Sequence, residues 1–152
     1  MNKKNIFIVL GALAILALLI WAGLAWRDGR QADIVRSRDP GLNNQERQVF
    51  QERIDKANTD LAKTDLSADD RYKTYMSLSA NLYALGQYED ARNVYDQAIA
   101  LMPNNIAPLL EAAKLSVIMN DYEAAKQYYR KLIAIDPLNK QSYQSALDQL
   151  GR

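Results

Sequence analysis

The segment GQYEDARNVYDQAIALMPNN, residues 86–105, returns in altered form as NDYEAAKQYYRKLIAIDPLN, residues 120–139. The two copies start 34 residues apart, and eight of their twenty positions are identical. A fixed period of this length is typical of proteins that stack repeated helix pairs, because each unit buries its apolar face against the next. The repeat therefore predicts an all-α fold in which these segments pack on each other.

Capping and turn residues divide the chain after residue 42 into consecutive helices. Asn43 or Asn44 is expected to cap a first helix, whose apolar positions are spaced four, three and four residues apart. The sequence SADD at 67–70 is an acidic capping box that opens the next helix, and Gly86 ends it. The next helix is predicted to start near Tyr88 and to stop before Pro103, and Asn104 and Asn105 cap the one after it. Asn120 and Asp121 mark the following turn, a further helix ends before Pro137, and a final helix covers about 139–150.

This pattern resembles the tetratricopeptide repeat, a unit of two antiparallel helices, over residues 72–139. The resemblance implies a solenoid domain at 67–152 with repeats at 72–105 and 106–139 and a capping helix at 140–152. Residues 43–66, an amphipathic helix in register with the repeats, are interpreted as a possible degenerate repeat. The signature positions hold Tyr75, Ser79, Gly86, Tyr88, Ala91, Tyr95 and Pro103 in the first unit and Leu109, Ala113, Asn120, Tyr122, Ala125, Tyr129 and Pro137 in the second.

Repeats of this family bind ligands along the inner face that the first helix of each pair forms. By family position, this face comprises Lys73, Met76, Ala80, Tyr83, Ala107, Leu110, Lys114 and Val117. The second helices of the two units match well, whereas the fourteen aligned positions of 72–85 and 106–119 share no identity. This difference favours a recognition surface for an apolar or amphipathic segment of a partner protein, which Lys73 and Lys114 would orient.

The alternative for this face is that neighbouring helices bury Met76, Tyr83, Leu110 and Val117. The clamp with which some family members hold a C-terminal carboxylate is not expected, because Met76, Ala80 and Glu111 stand at the matching positions.

Composition excludes several classes of function. The chain has no Cys and no His, so it lacks disulfides, thiolate metal sites and the commonest general base. Residues 27–152 carry 17 basic and 18 acidic side chains without a basic cluster, which argues against nucleic-acid binding. The carboxylates at 69–70, at 89–90 and of Asp136 are expected at exposed helix starts and turns. The sequence predicts a protein that is not an enzyme and needs no cofactor, metal or small-molecule substrate.

The N-terminal segment 1–26 predicts a membrane anchor. Residues 6–26 contain no charged side chain, and a helix of this length spans about 30 Å, the hydrocarbon thickness of a bilayer. Residues 27–42 are polar, contain Gly29 and Pro40, and are interpreted as a linker. The alternative is a signal peptide cleaved near the sequence AGLA at 22–25, but the long apolar run favours a retained signal-anchor.

The charges beside this segment bear on its orientation. Lys3 and Lys4 favour a cytoplasmic N-terminus, whereas Arg27, Arg30, Arg36 and Arg38 favour the opposite. The layout resembles bacterial signal-anchor proteins, which implies a single-pass inner-membrane protein with an extracytoplasmic domain. The hypothesis is a membrane-tethered interaction scaffold in envelope assembly or in protein export or maturation. The alternative is an accessory structural subunit of a larger membrane complex, and a homo-oligomer is also left open.

Overall fold

The computed structural model describes residues 40–151, which contain six helices and no strand. The helices are α1 Asn44–Leu61, α2 Ala68–Ala84, α3 Tyr88–Leu101, α4 Ile106–Ile118, α5 Tyr122–Ile135 and α6 Lys140–Leu150. The predicted anchor at 6–26 and the linker up to residue 39 lie outside the described residues. None of the described helices combines the length and the apolar character that crossing a membrane requires.

The predicted caps open the first two helices. Asn43 Oδ1 accepts a hydrogen bond from the amide of Glu46 at 2.9 Å, and Glu46 Oε2 accepts one from the amide of Asn43 at 2.8 Å. Ser67 Oγ likewise accepts from the amide of Asp70 at 3.1 Å. Each bond satisfies an amide that lacks a partner within its helix, and the acidic side chains favour the positive end of the helix dipole.

The turns inside the two helix pairs have the same geometry despite different residues. Gly86 follows α2 with φ 76°, and Asn120 follows α4 with φ 59°. In each turn two amides donate hydrogen bonds to carbonyl oxygens of the last helical turn. The amide of Gly86 donates to Tyr83 at 2.9 Å, and that of Asn120 donates to Val117 at 3.0 Å. In both turns the amide of the next residue donates to the carbonyl one position earlier in the helix. This is the Schellman ending, which requires left-handed backbone, and Gly and Asn are the residues that adopt it at low cost.

Helices adjacent in the chain pack on each other. The closest pairs are α2 with α3 and α4 with α5; α1 covers α2, α3 contacts α4, and α5 contacts α6. Ala91 and Ala125, the small signature residues of the second helices, are 0% exposed, as are Ser79 and Ala113 of the first helices. These small side chains let neighbouring helices approach each other closely.

Residues 43–66 contain one helix, α1, rather than a helix pair. Ile54 and Ala57 of α1 are buried, and Ala57 is in register with Ala91 of α3. The partly exposed Asp60, however, stands where α3 has the buried Val94. Helix α1 therefore occupies the place of a second helix and buries only the face toward α2, because within the described residues no first helix precedes it.

Asp136 differs from the sequence expectation of an exposed turn carboxylate, since it is only 5% exposed between α5 and α6. Its Oδ2 accepts hydrogen bonds from Asn139 Nδ2 and Tyr143 Oη, each at 2.8 Å. These bonds hold the pKa of the Asp136 carboxyl below its ordinary value. Asp136 thus fixes the first turn of α6 against the end of α5.

Candidate partner-binding site

A cleft of about 270 Å³ lies between α2, α3 and α4. Two of these helices are first helices of their pairs, which is where the predicted recognition face was placed. The lining residues are Ala80, Tyr83, Tyr95, Glu111, Lys114, Leu115 and Ile118.

The cleft gathers three of the eight residues predicted for the recognition face, namely Ala80, Tyr83 and Lys114. All three are exposed, and Tyr83 keeps 45% of its surface open to solvent. An exposed aromatic ring beside apolar side chains is the kind of surface that protein interfaces favour. Tyr83 is therefore the most accessible apolar contact that this face offers.

The other five predicted residues lie outside this cleft. Met76, Leu110 and Val117 are partly buried and pack against the core, so the alternative of burial by neighbouring helices holds in part for them. Ala107 is exposed in the first turn of α4. Lys73 is exposed and lines a different cleft between α1 and α2, where it pairs with Asp69. Lys73 and Lys114 therefore do not act on one ligand in the α2–α4 cleft.

Sequence reasoning missed four lining residues. Tyr95 was assigned to repeat packing, and it is indeed buried, but it also lines the cleft. Glu111, Leu115 and Ile118 were not predicted for the face. A helical projection could have found them, because residues three, four and seven positions after Glu111 share its side of the helix.

The electrostatics of the cleft combine one ion pair with a neutral phenol. Lys114 Nζ lies 2.7 Å from Glu111 Oε1. Burial and the nearby Glu111 charge raise the pKa of Tyr95 to about 12, so its hydroxyl stays protonated at physiological pH. Tyr83 is held from the other side by Tyr88, whose ring centroid is 5.4 Å away. The cleft offers a cation, an anion and a phenol around an apolar surface.

The predicted packing signature is not uniformly buried. The buried members are Ser79, Ala91, Tyr95, Ala113, Ala125 and Tyr129; Tyr75, Gly86 and Tyr88 are half-buried; Pro103, Tyr122 and Pro137 are exposed. The exposure of Tyr122, 45%, departs from its predicted packing role. Its counterpart Tyr88 packs against the ring of Tyr83, whereas the second unit has Val117 at that position. Tyr122 instead donates a hydrogen bond to Asn120 Oδ1 at 3.1 Å.

Over residues 40–151, no group of three acidic side chains is placed to hold a metal ion.

Comparison with known proteins adds one match. The tetratricopeptide repeat family model matches residues 82–150, a stretch that begins near the end of α2 and includes α3 to α6 completely. No curated protein matches the chain. Residues 82–150 are therefore similar to tetratricopeptide repeats, which mediate interactions between proteins and are not catalytic.

Proposed function

We propose that this protein is an interaction scaffold that binds a segment of a partner protein in the cleft between α2, α3 and α4. The observation that carries this proposal is the position of Tyr83, which is 45% exposed beside an apolar surface on the first-helix side of the repeat. An exposed ring next to Leu115 and Ile118 loses solvated apolar area when a ligand side chain covers it.

The chemistry of the cleft favours an apolar or amphipathic segment. Ile118 offers an apolar surface to a ligand side chain at the wall of the cleft, and Tyr83 packs on that side chain from the rim. Lys114 donates and Glu111 accepts hydrogen bonds, so the two can bind the backbone amide groups or polar side chains of a segment. A free carboxylate is disfavoured, because Glu111 already neutralises Lys114 at 2.7 Å.

The proposal extends to the placement of the scaffold. Residues 6–26, which carry no charge, tether it to a membrane, and the repeat domain lies outside the cytoplasm of a bacterial cell. The function is then to hold a partner near the bilayer in envelope assembly or in protein export or maturation. What supports this part is the length and composition of the N-terminal sequence.

A second candidate is an accessory subunit of a larger membrane complex. Leu138, in the turn between α5 and α6, leaves 94% of its surface exposed, and a neighbouring subunit would bury it. Native mass measurement after gentle detergent extraction separates the two: a stoichiometric set of subunits supports this candidate, and a single chain supports the scaffold.

Site-specific photo-crosslinking tests the binding function. A benzophenone amino acid at Tyr83 is compared with one at Tyr122, which is equally exposed but lies outside the cleft. We expect one discrete partner adduct from Tyr83, none from Tyr122, and loss of the Tyr83 adduct on Lys114→Glu substitution. The same adduct from both positions, or one indifferent to Lys114→Glu, would contradict binding in the cleft.

A further inference from the structure

A second cleft, of about 540 Å³, lies between the last two helices on a surface separate from the proposed binding site. It is lined by Lys126, Arg130 and Ile133 of α5, by Gln144 and Leu147 of α6, and by Gly151, which follows α6. The three α5 residues fall four and three positions apart and thus form one face of that helix.

The preceding repeat shows what covers the same face. The counterparts of Lys126, Arg130 and Ile133, 34 residues earlier on α3, are Arg92, Asp96 and Ile99. Side chains of α5 and of its N-cap residue reach across to two of them: Asp121 pairs with Arg92, and Tyr128 Oη donates to Asp96 Oδ1 at 2.7 Å. The Arg92 side chain is only 17% exposed, and Ile99 is buried.

The α6 side of the cleft is likewise missing its cover. Leu147 corresponds to Ala113 of α4. Ala113 is fully buried, and α4, the first helix of its pair, packs tightly on the second helix α5. Leu147 itself is half-buried. Within the described residues no second helix follows α6, so the cleft has the shape of the place that such a helix would occupy.

The charge of this face differs from that of its internal counterpart. Where α3 has one cation and one anion, Arg92 and Asp96, α5 has two cations, Lys126 and Arg130. Lys126 is paired at 2.9 Å with Glu123, a side chain that is mostly solvent-exposed. No acidic side chain among residues 40–151 forms an ion pair with Arg130.

We propose that this terminal cleft docks an acidic amphipathic helix from a partner protein, seated as α5 is seated on α3. In the internal contact the groups that meet Arg92 and Asp96 come from Asp121, the N-cap of α5, and from Tyr128, seven residues later. The complement to Lys126 and Arg130 is therefore a helix with one carboxylate at its N-cap and a second seven residues later, and with apolar residues between them that cover Ile133 and Leu147.

The charges disfavour a second copy of this chain as the occupant. Helix α1 is the unpaired second helix at the other end of the described domain and could in principle complete α6. In the register of α5, it would present Arg53 where Asp121 stands and Asp60 where Tyr128 stands. Arg53 would then face Lys126 as a like charge, whereas Asp60 would face Arg130, so α1 supplies only one of the two carboxylates that complement this face.

The probe for this site is a labelled peptide with the sequence of residues 120–135 and the change Tyr128→Glu, which carries the two carboxylates seven residues apart. The control peptide carries Asp121→Lys and Tyr128→Lys. Fluorescence anisotropy measures the binding of each to the full-length protein in mild detergent. We expect saturable one-to-one binding of the acidic peptide and none of the control.

Protein variants localise that binding. Lys126→Glu with Arg130→Glu should weaken it by roughly tenfold or more, since two attractions become repulsions. Lys140→Glu, the same charge change on α6 outside the cleft, should leave it unchanged. If the double variant shows no helical melting transition and is therefore unfolded, the variant Lys126→Gln with Arg130→Gln is measured in its place.

Three results would overturn the proposal. These are failure of the acidic peptide to bind, equal binding of both peptides, and equal affinity of the double variant and the natural sequence. Self-association of the full chain that Lys126→Glu strengthens would also overturn it, because it would identify a second copy, through Arg53, as the occupant. The proposed function at the α2–α4 cleft can fail or stand independently of all these outcomes.

Discussion

Tyr128 on α5 donates a hydrogen bond to the carboxylate of Asp96 on α3 at 2.7 Å, so the second helices of the two units are joined directly. The ring of Tyr128 is buried, whereas Asp96 remains exposed at its other edges. Burial and the Asp96 carboxylate both raise the pKa of Tyr128, which keeps its hydroxyl protonated as a donor.

We expect Tyr128→Phe to lower the free energy of unfolding by about 1 kcal/mol, because it removes one net hydrogen bond while Asp96 can still be solvated. Urea denaturation followed by circular dichroism measures the change. Tyr122→Phe is the control, since the Tyr122 hydroxyl bonds at an exposed position, and its loss should stay within about 0.5 kcal/mol. Equal losses in both variants would show that the hydrogen bond from Tyr128 to Asp96 stabilises the fold no more than the exposed hydrogen bond of Tyr122 does.

Replacement of the small residues at the helix crossings should destabilise the fold. Ala91 is 0% exposed, so the larger side chain of Ala91→Leu overpacks the crossing and costs about 1–3 kcal/mol. Thermal unfolding compares it with Ala100→Leu, which makes the same change at an exposed position of α3. A stability of Ala91→Leu equal to that of Ala100→Leu would contradict the close approach of the helices.

The turn after α2 requires left-handed backbone at Gly86, where φ is 76°. Gly86→Ala should therefore destabilise the protein by about 1–2 kcal/mol, because a Cβ strains this conformation. Gly151→Ala is the comparison, since Gly151 has φ −92° and the nearest atoms to an added Cβ are 3.7 Å away. Chemical denaturation of both variants should show a loss only for Gly86→Ala.

The buried Asp136 predicts a dependence of stability on acid pH. Hydrogen bonds from Asn139 and Tyr143 lower its pKa in the folded state below the ordinary 3.8. The unfolded chain therefore takes up the proton first as pH falls. The stabilising contribution is complete above about pH 5 and is lost as pH falls through the folded pKa.

The measurement for Asp136 is the difference in unfolding free energy between the natural sequence and Asp136→Asn. It should be largest near neutral pH and shrink below pH 3.8, since the other carboxylates contribute equally to both proteins. A difference that is constant between pH 7 and pH 3 would show that ionisation of Asp136 does not stabilise the fold.

The helix boundaries were predictable because they depend on local chemistry. Asn43, Ser67 and Gly86 act through hydrogen bonds and backbone angles within a few residues, and a reader of the sequence can recognise them. The 34-residue period then predicts the order of packing, since the small residues Ala91 and Ala125 at equivalent positions are both buried at helix crossings. These signals gave the all-α repeat architecture of residues 67–151, with boundaries within one or two residues.

The binding face was only partly predictable because exposure depends on neighbours distant in sequence. Tyr83 and Val117 occupy equivalent positions, yet Tyr83 is exposed and Val117 packs against the core. Tyr88 and Tyr122 are equivalent as well, but of these two only Tyr88 packs against a ring among residues 40–151. The burial of Asp136 likewise follows from Tyr143, a contact that spans a turn and a helix start.

The most direct test of the central claim is the affinity of the full-length protein for the partner segment that the Tyr83 crosslink identifies. Lys114→Glu is measured against Lys73→Glu, since both lysines are exposed and ion-paired on first helices but only Lys114 lines the cleft. The account predicts a loss of about tenfold for Lys114→Glu and none for Lys73→Glu. Equal affinities of the two variants would contradict binding in the α2–α4 cleft.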